Sequence, residues 1–169
     1  MSVVGDVLTA VPGLSQAQIE GLERYCGLLL AENAAMNLTA VTDPGEVAVR
    51  HFLDSLCPPA LALLPRGARL IDVGSGGGLP GIPLAIARPD LSVTLLEARR
   101  KKTDFLLRTA ESLGLENVSV VWGRAEDTGR DPAHREQYDV ATARAVAALP
   151  VLCELLLPFV AVGGMAIAW

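Results

Sequence analysis

The residues best suited to holding a ligand lie between Asp72 and Gly81, where one acid precedes five glycines in ten positions. An apolar run before them predicts a buried strand, Arg69–Val73, and Leu84-Ala85-Ile86-Ala87 after them predict a short helix. A turn of this kind presents backbone N–H groups to a ligand at a helix N-terminus, with no side chains in the way. We therefore interpret the turn as a cofactor site, whose expected contacts are Asp72, Gly74, Ser75, Gly76, Gly78 and Leu79.

Two cofactors are compatible with these glycines. Gly76–Gly81 matches the G-x-G-x-x-G pattern of dinucleotide-binding turns, which favours NAD. Asp72–Gly78 matches a second pattern, an acid, an apolar residue and alternating glycines, which resembles motif I of the class I S-adenosyl-L-methionine-dependent methyltransferases. In that pattern the acid accepts hydrogen bonds from the turn or anchors the ammonium group of the cofactor. A dinucleotide enzyme has less use for a carboxylate beside a pyrophosphate, because the two charges repel.

Acidic residues also follow the next two predicted strands. Glu97 comes about 20 residues after the glycine turn, where an acid binds both ribose hydroxyls of NAD or of S-adenosylmethionine. The alternative is that Glu97 is a solvated glutamate at the end of a strand. Ala98, the residue after Glu97, is also part of the predicted cofactor site. Ala125 and Glu126 follow the third strand, where methyltransferases of this class commonly hold the adenine. The three positions together favour the methyl donor.

Alternation of strands and helices predicts the fold. Apolar runs bounded by turns predict five strands, and helical stretches separate most of them: strands Arg69–Val73, Ser92–Leu96, Val118–Trp122, Tyr138–Ala143 and Gly164–Trp169, with helices Gly81–Arg88, Lys101–Leu113 and Ala147–Leu157. Strands that alternate with helices form a parallel sheet through right-handed crossovers. The predicted fold class is therefore a doubly wound, mostly parallel α/β sheet.

We expect one domain over residues 1–169, with a helical segment, residues 1–60, packed on a cofactor-binding core, residues 61–169. Ser15 and Gln18 form a capping-box start for a first helix, and a second helix should run from Asp43-Pro44 to Pro58-Pro59. The chain stops inside its fifth strand, which would leave an apolar edge without a neighbour. We expect a C-terminal segment, absent from this sequence, to pair with that edge.

Composition excludes several classes of function. The net charge is −5, so binding to RNA would need a local basic patch. Three scattered cysteines and two histidines argue for a reducing compartment and against a metal site. No signal peptide or uninterrupted apolar span is visible, so the predicted location is the cytoplasm, without membrane contact.

Beyond the glycine turn, several segments resemble one family in particular. They are Asn37-Leu38-Thr39-Ala40, Arg50-His51-Phe52-Leu53-Asp54-Ser55-Leu56, Gly78-Leu79-Pro80-Gly81-Ile82-Pro83, Arg124-Ala125-Glu126 and Ala143-Arg144-Ala145. In this order they are similar to the RsmG (GidB) methyltransferases, and the likeness extends from Asn37 to Trp169. The resemblance implies a class I fold, S-adenosyl-L-methionine as cofactor, and methylation of N7 of a guanine in the decoding region of 16S rRNA, as naked RNA or in the 30S subunit.

The resemblance also assigns roles to residues. It places Gly74, Leu79, Glu97, Ala125, Glu126 and Arg144 at the cofactor, and makes Asn37 and His51 contacts of RNA or cofactor. Family members often have Asp where Glu97 stands, and they continue past the last strand of this chain, so the activity of the chain as it stands is an open question. No catalytic acid or base is identified; Arg144, Asn37 and His51 are candidates for positioning. Without the resemblance, Arg144 would be a surface residue paired with Glu126 or Asp139.

The only dense basic run is Arg99-Arg100-Lys101-Lys102, at the start of a predicted helix. Cations are disfavoured there by the helix dipole, so we expect these residues to bind RNA phosphates. Guanine N7 carries a free lone pair, and its methylation needs positioning more than proton transfer. The alternatives to such a monomeric rRNA methyltransferase are an NAD-dependent oxidoreductase and a non-catalytic module that binds a nucleotide or RNA.

Overall fold

The computed structural model describes residues 2–169, apart from the side chain of Pro58. Its centre is a parallel sheet in which five strands lie in the order β3-β2-β1-β4-β5. The strands are β1 (Arg69–Val73), β2 (Ser92–Glu97), β3 (Val118–Trp122), β4 (Tyr138–Ala143) and β5 (Val160–Ala168). The chain builds outward from β1 to β3 and then crosses to the other side of β1. This confirms the predicted doubly wound α/β class, with its switch point between β1 and β4.

Eight α-helices accompany the sheet in residues 2–169: α1 (Val3–Leu8), α2 (Gln16–Met36), α3 (Pro44–Val47), α4 (Pro58–Leu63), α5 (Gly81–Ala87), α6 (Arg100–Leu113), α7 (Ala125–Thr128) and α8 (Leu149–Leu156). The capping box predicted at Ser15 and Gln18 begins α2. None of the helices described is long and apolar enough to cross a membrane.

Alternating strand residues divide the interior into two layers. Leu70, Val93 and Val140 face a core shared with the N-terminal helices, α5 and α6. Ile71, Leu96 and Ala141 face the opposite core, which is closed by α8 and by Phe159. Because side chains alternate along a strand, apolar residues on both faces require a sheet covered on both sides.

Two predicted elements differ from the structure. The second helix runs without interruption from Pro44 to Ser55, as predicted, but α3 passes within it into a π-helical segment, Ala48–Leu53, and Pro58-Pro59 then begin α4. Proline is well tolerated in the first turn of a helix, where its missing N–H has no partner to lose. The strand predicted from Gly164 begins at Val160 and contains an irregularity opposite Tyr138–Val140. That irregularity lies between Val160 and Met165 and therefore contains Gly163 and Gly164.

Candidate functional site

The crevice above the carboxyl ends of β1, β2 and β3 contains a cavity of about 170 Å³. Its lining includes five residues predicted from sequence to contact a cofactor, Gly74, Glu97, Ala98, Ala125 and Glu126. Ligands of open α/β sheets bind outside the carboxyl ends of the strands, close to the switch point. A larger cavity, about 550 Å³, is lined by residues such as Ser15, Ile86 and Asn117 and by none of the predicted site residues. We therefore place the candidate site in the smaller cavity.

The glycine turn is fastened to the end of β2 by backbone hydrogen bonds. The N–H groups of Gly74 and Ser75 both donate to the carbonyl of Leu96, at 2.8 and 3.1 Å. The Ser75 hydroxyl donates to the Asp72 carbonyl at 2.8 Å, which directs this side chain inward. Gly78 has a φ of 97°, and a Cβ atom there would overlap the side chain of Ile82. The bare turn is thus required by backbone geometry and packing, and among Gly74, Gly76, Gly77 and Gly78 only Gly76 has nearly open space where a Cβ atom would lie.

Glu97 closes the turn from the side of β2. Its Oε2 accepts the Gly76 N–H at 2.9 Å and its Oε1 accepts the Arg99 N–H at 2.8 Å. The residue is only 7% exposed, yet it lines the cavity. Each carboxylate oxygen has two lone pairs, so one on each oxygen is still available to a ligand hydroxyl. The alternative of a solvated glutamate does not fit this geometry.

Asp72 lies beneath the turn and faces away from the crevice. Its side chain is fully buried; Oδ2 accepts the Gly81 N–H at 3.1 Å and Oδ1 accepts the Thr142 hydroxyl at 3.2 Å. Burial raises the pKa of this carboxyl to about 6, although the hydrogen bonds oppose the shift. Of the two roles considered for it, the structure provides hydrogen bonding to the backbone, whereas contact with a cofactor ammonium is not available in this conformation.

The segment after β3 forms the far wall of the cavity. Arg124 is the N-terminal flanking residue of α7, which begins at Ala125. Ala125 is half-buried and Glu126 is exposed, and both line the cavity with Gly123. A small apolar residue beside an acid suits the flat face and polar edge of a heterocycle.

Arg144 follows β4 and is held by residues of the N-terminal segment. Its Nη1 lies 3.3 Å from Asp54 Oδ2, and its Nη2 donates to His51 Nδ1 at 3.0 Å. The expectation that a structural role would pair Arg144 with Glu126 or Asp139 is therefore wrong. Asp139 instead accepts the Arg69 N–H at 2.7 Å. Sequence could not show the pairing because Asp54 and Arg144 are brought together only when the N-terminal segment packs at the end of β4.

His51 has both ring nitrogens engaged. Since Arg144 can only donate, Nδ1 must accept, and the proton therefore lies on Nε2, which donates to Thr39 Oγ1 at 2.7 Å. Burial lowers the pKa of His51, and the charge of Arg144 lowers it further. Thr39 is itself fixed to α2, because its N–H donates to Asn33 Oδ1 at 2.8 Å. His51 is thus a neutral link between α2 and Arg144, which sequence analysis did not foresee.

The remaining predicted residues are less closely connected with the cavity. Asn37 is exposed and ends α2 with a left-handed φ of 50°, and its N–H donates to Asn33. Leu79 is buried beneath the turn, and its N–H donates to the Ser75 carbonyl at 3.2 Å. Two residues that sequence analysis missed approach the turn: Tyr25 donates to the Gly77 carbonyl at 2.7 Å, and Val146 lies over Gly74. No local pattern marks either residue, because both reach the turn from distant elements.

The basic run begins α6 beside the crevice. Arg99, Arg100 and Lys101 are exposed and Lys102 is half-buried. Arg100 pairs with Asp104 at 3.0 Å and lies 4.9 Å from the centroid of the Trp122 ring. In the part of the chain that the structure describes, no carboxylate forms an ion pair with Arg99, Lys101 or Lys102. Three of the four cations are therefore available to an anionic ligand.

Comparisons with known proteins agree with this arrangement. The model of the GidB family, described as rRNA small subunit methyltransferase G, matches residues 18–169. A protein named ribosomal RNA small subunit methyltransferase G from Pelotomaculum thermopropionicum is 48% identical over 155 residues, which cover 92% of this chain and 65% of the relative. A protein of the same name from Roseiflexus castenholzii is 53% identical over 156 residues, with coverages of 92% and 66%. The chain spans just under two thirds of the length of these relatives.

Solved structures share the fold at low sequence identity. A methyltransferase from Thiobacillus denitrificans, solved with S-adenosyl-L-homocysteine, has a TM-score of 0.55 and 23% identity, and the match covers 82% of this chain and 52% of that one. Coclaurine N-methyltransferase has a TM-score of 0.61 and 15% identity, with coverages of 98% and 54%. These likenesses establish the class I methyltransferase fold that was predicted. Together with the family match over residues 18–169, they show that the chain belongs to the GidB family of rRNA small subunit methyltransferase G proteins.

Proposed function

We propose that the chain binds S-adenosyl-L-methionine in the crevice above β1, β2 and β3, and that it directs methyl transfer to N7 of a guanine in 16S rRNA. The observation that carries the proposal is Glu97, a buried carboxylate that fastens the glycine turn and still faces the cavity. The family of the chain and its fold support the same cofactor. The relatives' name supports ribosomal RNA of the small subunit as the substrate.

The residues of the crevice fit this cofactor. The free lone pairs of Glu97 can accept two adjacent ribose hydroxyls, and Ala98 lies beside them in the lining. Ala125 and Glu126 would hold the adenine, by a small apolar contact and a polar edge. Gly76, where a Cβ atom would meet only the Gly74 carbonyl at 3.8 Å, leaves the turn open to the methionine part, and Arg144 at the end of β4 would hold its carboxylate or guanine O6.

Methyl transfer to N7 mainly requires the protein to align the cofactor with the guanine. When bound, S-adenosylmethionine supplies a methyl group carried on a positively charged sulfur, and the sulfur is left as a neutral thioether when the N7 lone pair forms the new N–C bond. N7 carries no proton, so the chain needs no general base at the reacting atom. Asp72, the acid with a raised pKa, is fully buried beneath the turn, which agrees with a supporting role. What the residues contribute is to fix the two ends of the donor.

The RNA backbone would be held by the basic run. Arg99, Lys101 and Lys102 lie beside Glu97 and Ala98, so phosphates bound there pass close to the crevice. We propose naked 16S rRNA or the 30S subunit as the partner, a monomer as the active form, and the cytoplasm as the location. Replacing the three cations by Ala should lower the slope of log affinity against log salt by about 2, since each phosphate contact to single strands contributes about 0.7. Arg66→Ala, an exposed change before β1, is the matched control.

Two measurements test the proposal. Calorimetric titration should show binding of S-adenosylhomocysteine to this chain and none of NAD, and Glu97→Ala should abolish the former. Transfer of labelled methyl to unmodified 16S rRNA, followed by cleavage at 7-methylguanine, should then locate one modified base. Binding of NAD in place of S-adenosylhomocysteine would refute the cofactor assignment, and label in any other position of the RNA would refute the N7 assignment.

A further inference from the structure

Trp122 is the one large aromatic side chain of β3, and it lies at the end of the strand nearest the crevice. Its exposed fraction is 58%, although burying the apolar surface of so large an aromatic side chain is favourable. β3 is an edge strand, and Trp122 is opposite Glu97 in the register with β2. An exposed tryptophan beside a ligand crevice needs an explanation other than packing.

The indole is held in place although it is not buried. Its Nε1 donates to the Ala98 carbonyl at 3.0 Å, and the Arg100 guanidinium lies over the ring, 4.9 Å from its centroid. Arg100 is fixed in turn by Asp104, whose Oδ1 accepts from Nε at 3.0 Å. A rigid aromatic face that loses little entropy on contact is well suited to stacking against a flat ligand.

The charge around the ring identifies the kind of ligand. Arg99, Lys101 and Lys102 surround the start of α6, and Arg124 follows Trp122 by two residues; all but Lys102 are exposed. A basic strip beside an exposed aromatic ring is the combination that binds single-stranded nucleic acid, in which cations follow the phosphates and bases stack on the ring. A purely apolar partner would not need the four cations.

The topology separates this ring from Arg144, which we propose to hold the cofactor carboxylate or guanine O6 at the reacting position. The order β3-β2-β1-β4 puts three strand spacings between Trp122 and Arg144, about 14 Å at 4.7–4.9 Å each. A base stacked on Trp122 is therefore not the base that meets the methyl group. Resting on the proposed function, we propose that Trp122 and Arg100 form a stacking platform for an unpaired neighbouring base of the RNA substrate, and so help to set which guanine reaches the crevice.

Fluorescence tests the platform directly, because the chain contains only two tryptophans. In a Trp169→Phe background Trp122 is the sole reporter, and single-stranded oligoadenylate of twelve nucleotides is the probe. Stacking should quench the emission of Trp122. In the native background Trp122→Leu should bind the probe roughly tenfold more weakly and Trp122→Phe should retain most of the affinity, since stacking on an aromatic ring contributes about 1–3 kcal/mol per base. Leu107→Ala, which removes another exposed apolar side chain from the same region, should change nothing.

Three outcomes would overturn the platform. They are unchanged emission when the probe binds, equal probe affinity of Trp122→Leu and native protein, and loss of S-adenosylhomocysteine affinity in Trp122→Leu with probe affinity intact. The last would make Trp122 part of the cofactor site. If native protein fails to bind S-adenosylhomocysteine but RNA still quenches Trp122, the proposed function fails and the platform stands; the reverse pattern removes the platform alone.

Discussion

The ends of β1 and β2 each carry a buried carboxylate, and the two differ in what they hold. Asp72 accepts one backbone N–H and one hydroxyl, from Gly81 and Thr142, in the interior. Glu97 accepts two backbone N–H groups, from Gly76 and Arg99, and borders the cavity. A hydroxyl can donate or accept a hydrogen bond, whereas a backbone N–H can only donate one. Asp72 therefore tolerates replacement by an amide side chain, and Glu97 does not. The same chemical group thus supports the turn from below at one strand and faces the ligand at the next.

The largest expected effect concerns Asp72→Asn. The pKa of Asp72 in the folded chain is about 6, against 3.8 in the absence of the fold, so the neutral acid stabilises the fold below about pH 4 and this contribution is lost as the pH rises through 6. The full difference is about 3 kcal/mol, since each pKa unit corresponds to about 1.4 kcal/mol. The Asn variant should therefore be more stable than native protein at pH 8, and equally stable near pH 3.5. Urea unfolding at both pH values measures this, and a difference that does not change with pH would contradict it.

Glu97→Gln should behave in the opposite way. Its amide NH₂ would face an N–H donor, either Gly76 or Arg99, and one hydrogen bond of the turn would be replaced by repulsion. We expect S-adenosylhomocysteine affinity to fall about 100-fold, because hydrogen bonds to a charged group contribute about 1.5–3 kcal/mol each. Calorimetry measures the affinity, with the exposed, distant Glu116→Gln as control. If Glu97→Gln binds S-adenosylhomocysteine with native affinity, Glu97 tolerates an amide as Asp72 does, and the two acids are equivalent.

Gly81 connects Asp72 to the start of α5. A Cβ atom at Gly81 would overlap the Leu95 side chain and lie 2.8 Å from Asp72 Oδ2, so Gly81→Ala must displace both side chains. Overpacking of this kind costs about 1–3 kcal/mol of the free energy of unfolding. Gly27→Ala is the matched control, because nothing lies within 4 Å of its Cβ and α2 should gain up to about 1 kcal/mol there. Thermal unfolding that shows the same change for both variants would argue against the close packing of Gly81.

The smallest effect concerns Arg144 at the end of β4, which, unlike the two acids, is held by the side chains of His51 and Asp54. We expect His51 and Arg144 to be coupled by about 1 kcal/mol in a double-mutant cycle of the unfolding free energy at pH 8. The pKa of His51 is lowered in the fold, so its neutral form stabilises the fold above about pH 6.5, and this contribution is lost as the pH falls through the lowered pKa. Protonated Nδ1 cannot accept from Arg144, and the coupling should vanish toward pH 5. A coupling that persists there would show that the contact does not depend on the neutral imidazole.

Sequence by itself determined the first four strands closely, the parallel arrangement of a doubly wound sheet, the glycine turn and the acid of β2. These depend on local patterns: apolar runs, glycines that a turn requires, and the spacing from one strand end to the next. The segment Ala125-Glu126 was found in the same way, because it follows a strand directly.

Only the tertiary structure decided what each site residue contacts. It turned Asp72 inward, paired Arg144 with Asp54 and His51, and left Trp122 exposed under Arg100. Such contacts join elements separated by tens of residues, and a side chain's partner depends on the packing of whole helices against the sheet. Sequence places a residue at a strand end, but the direction of its side chain and the group it meets are set by the assembled core.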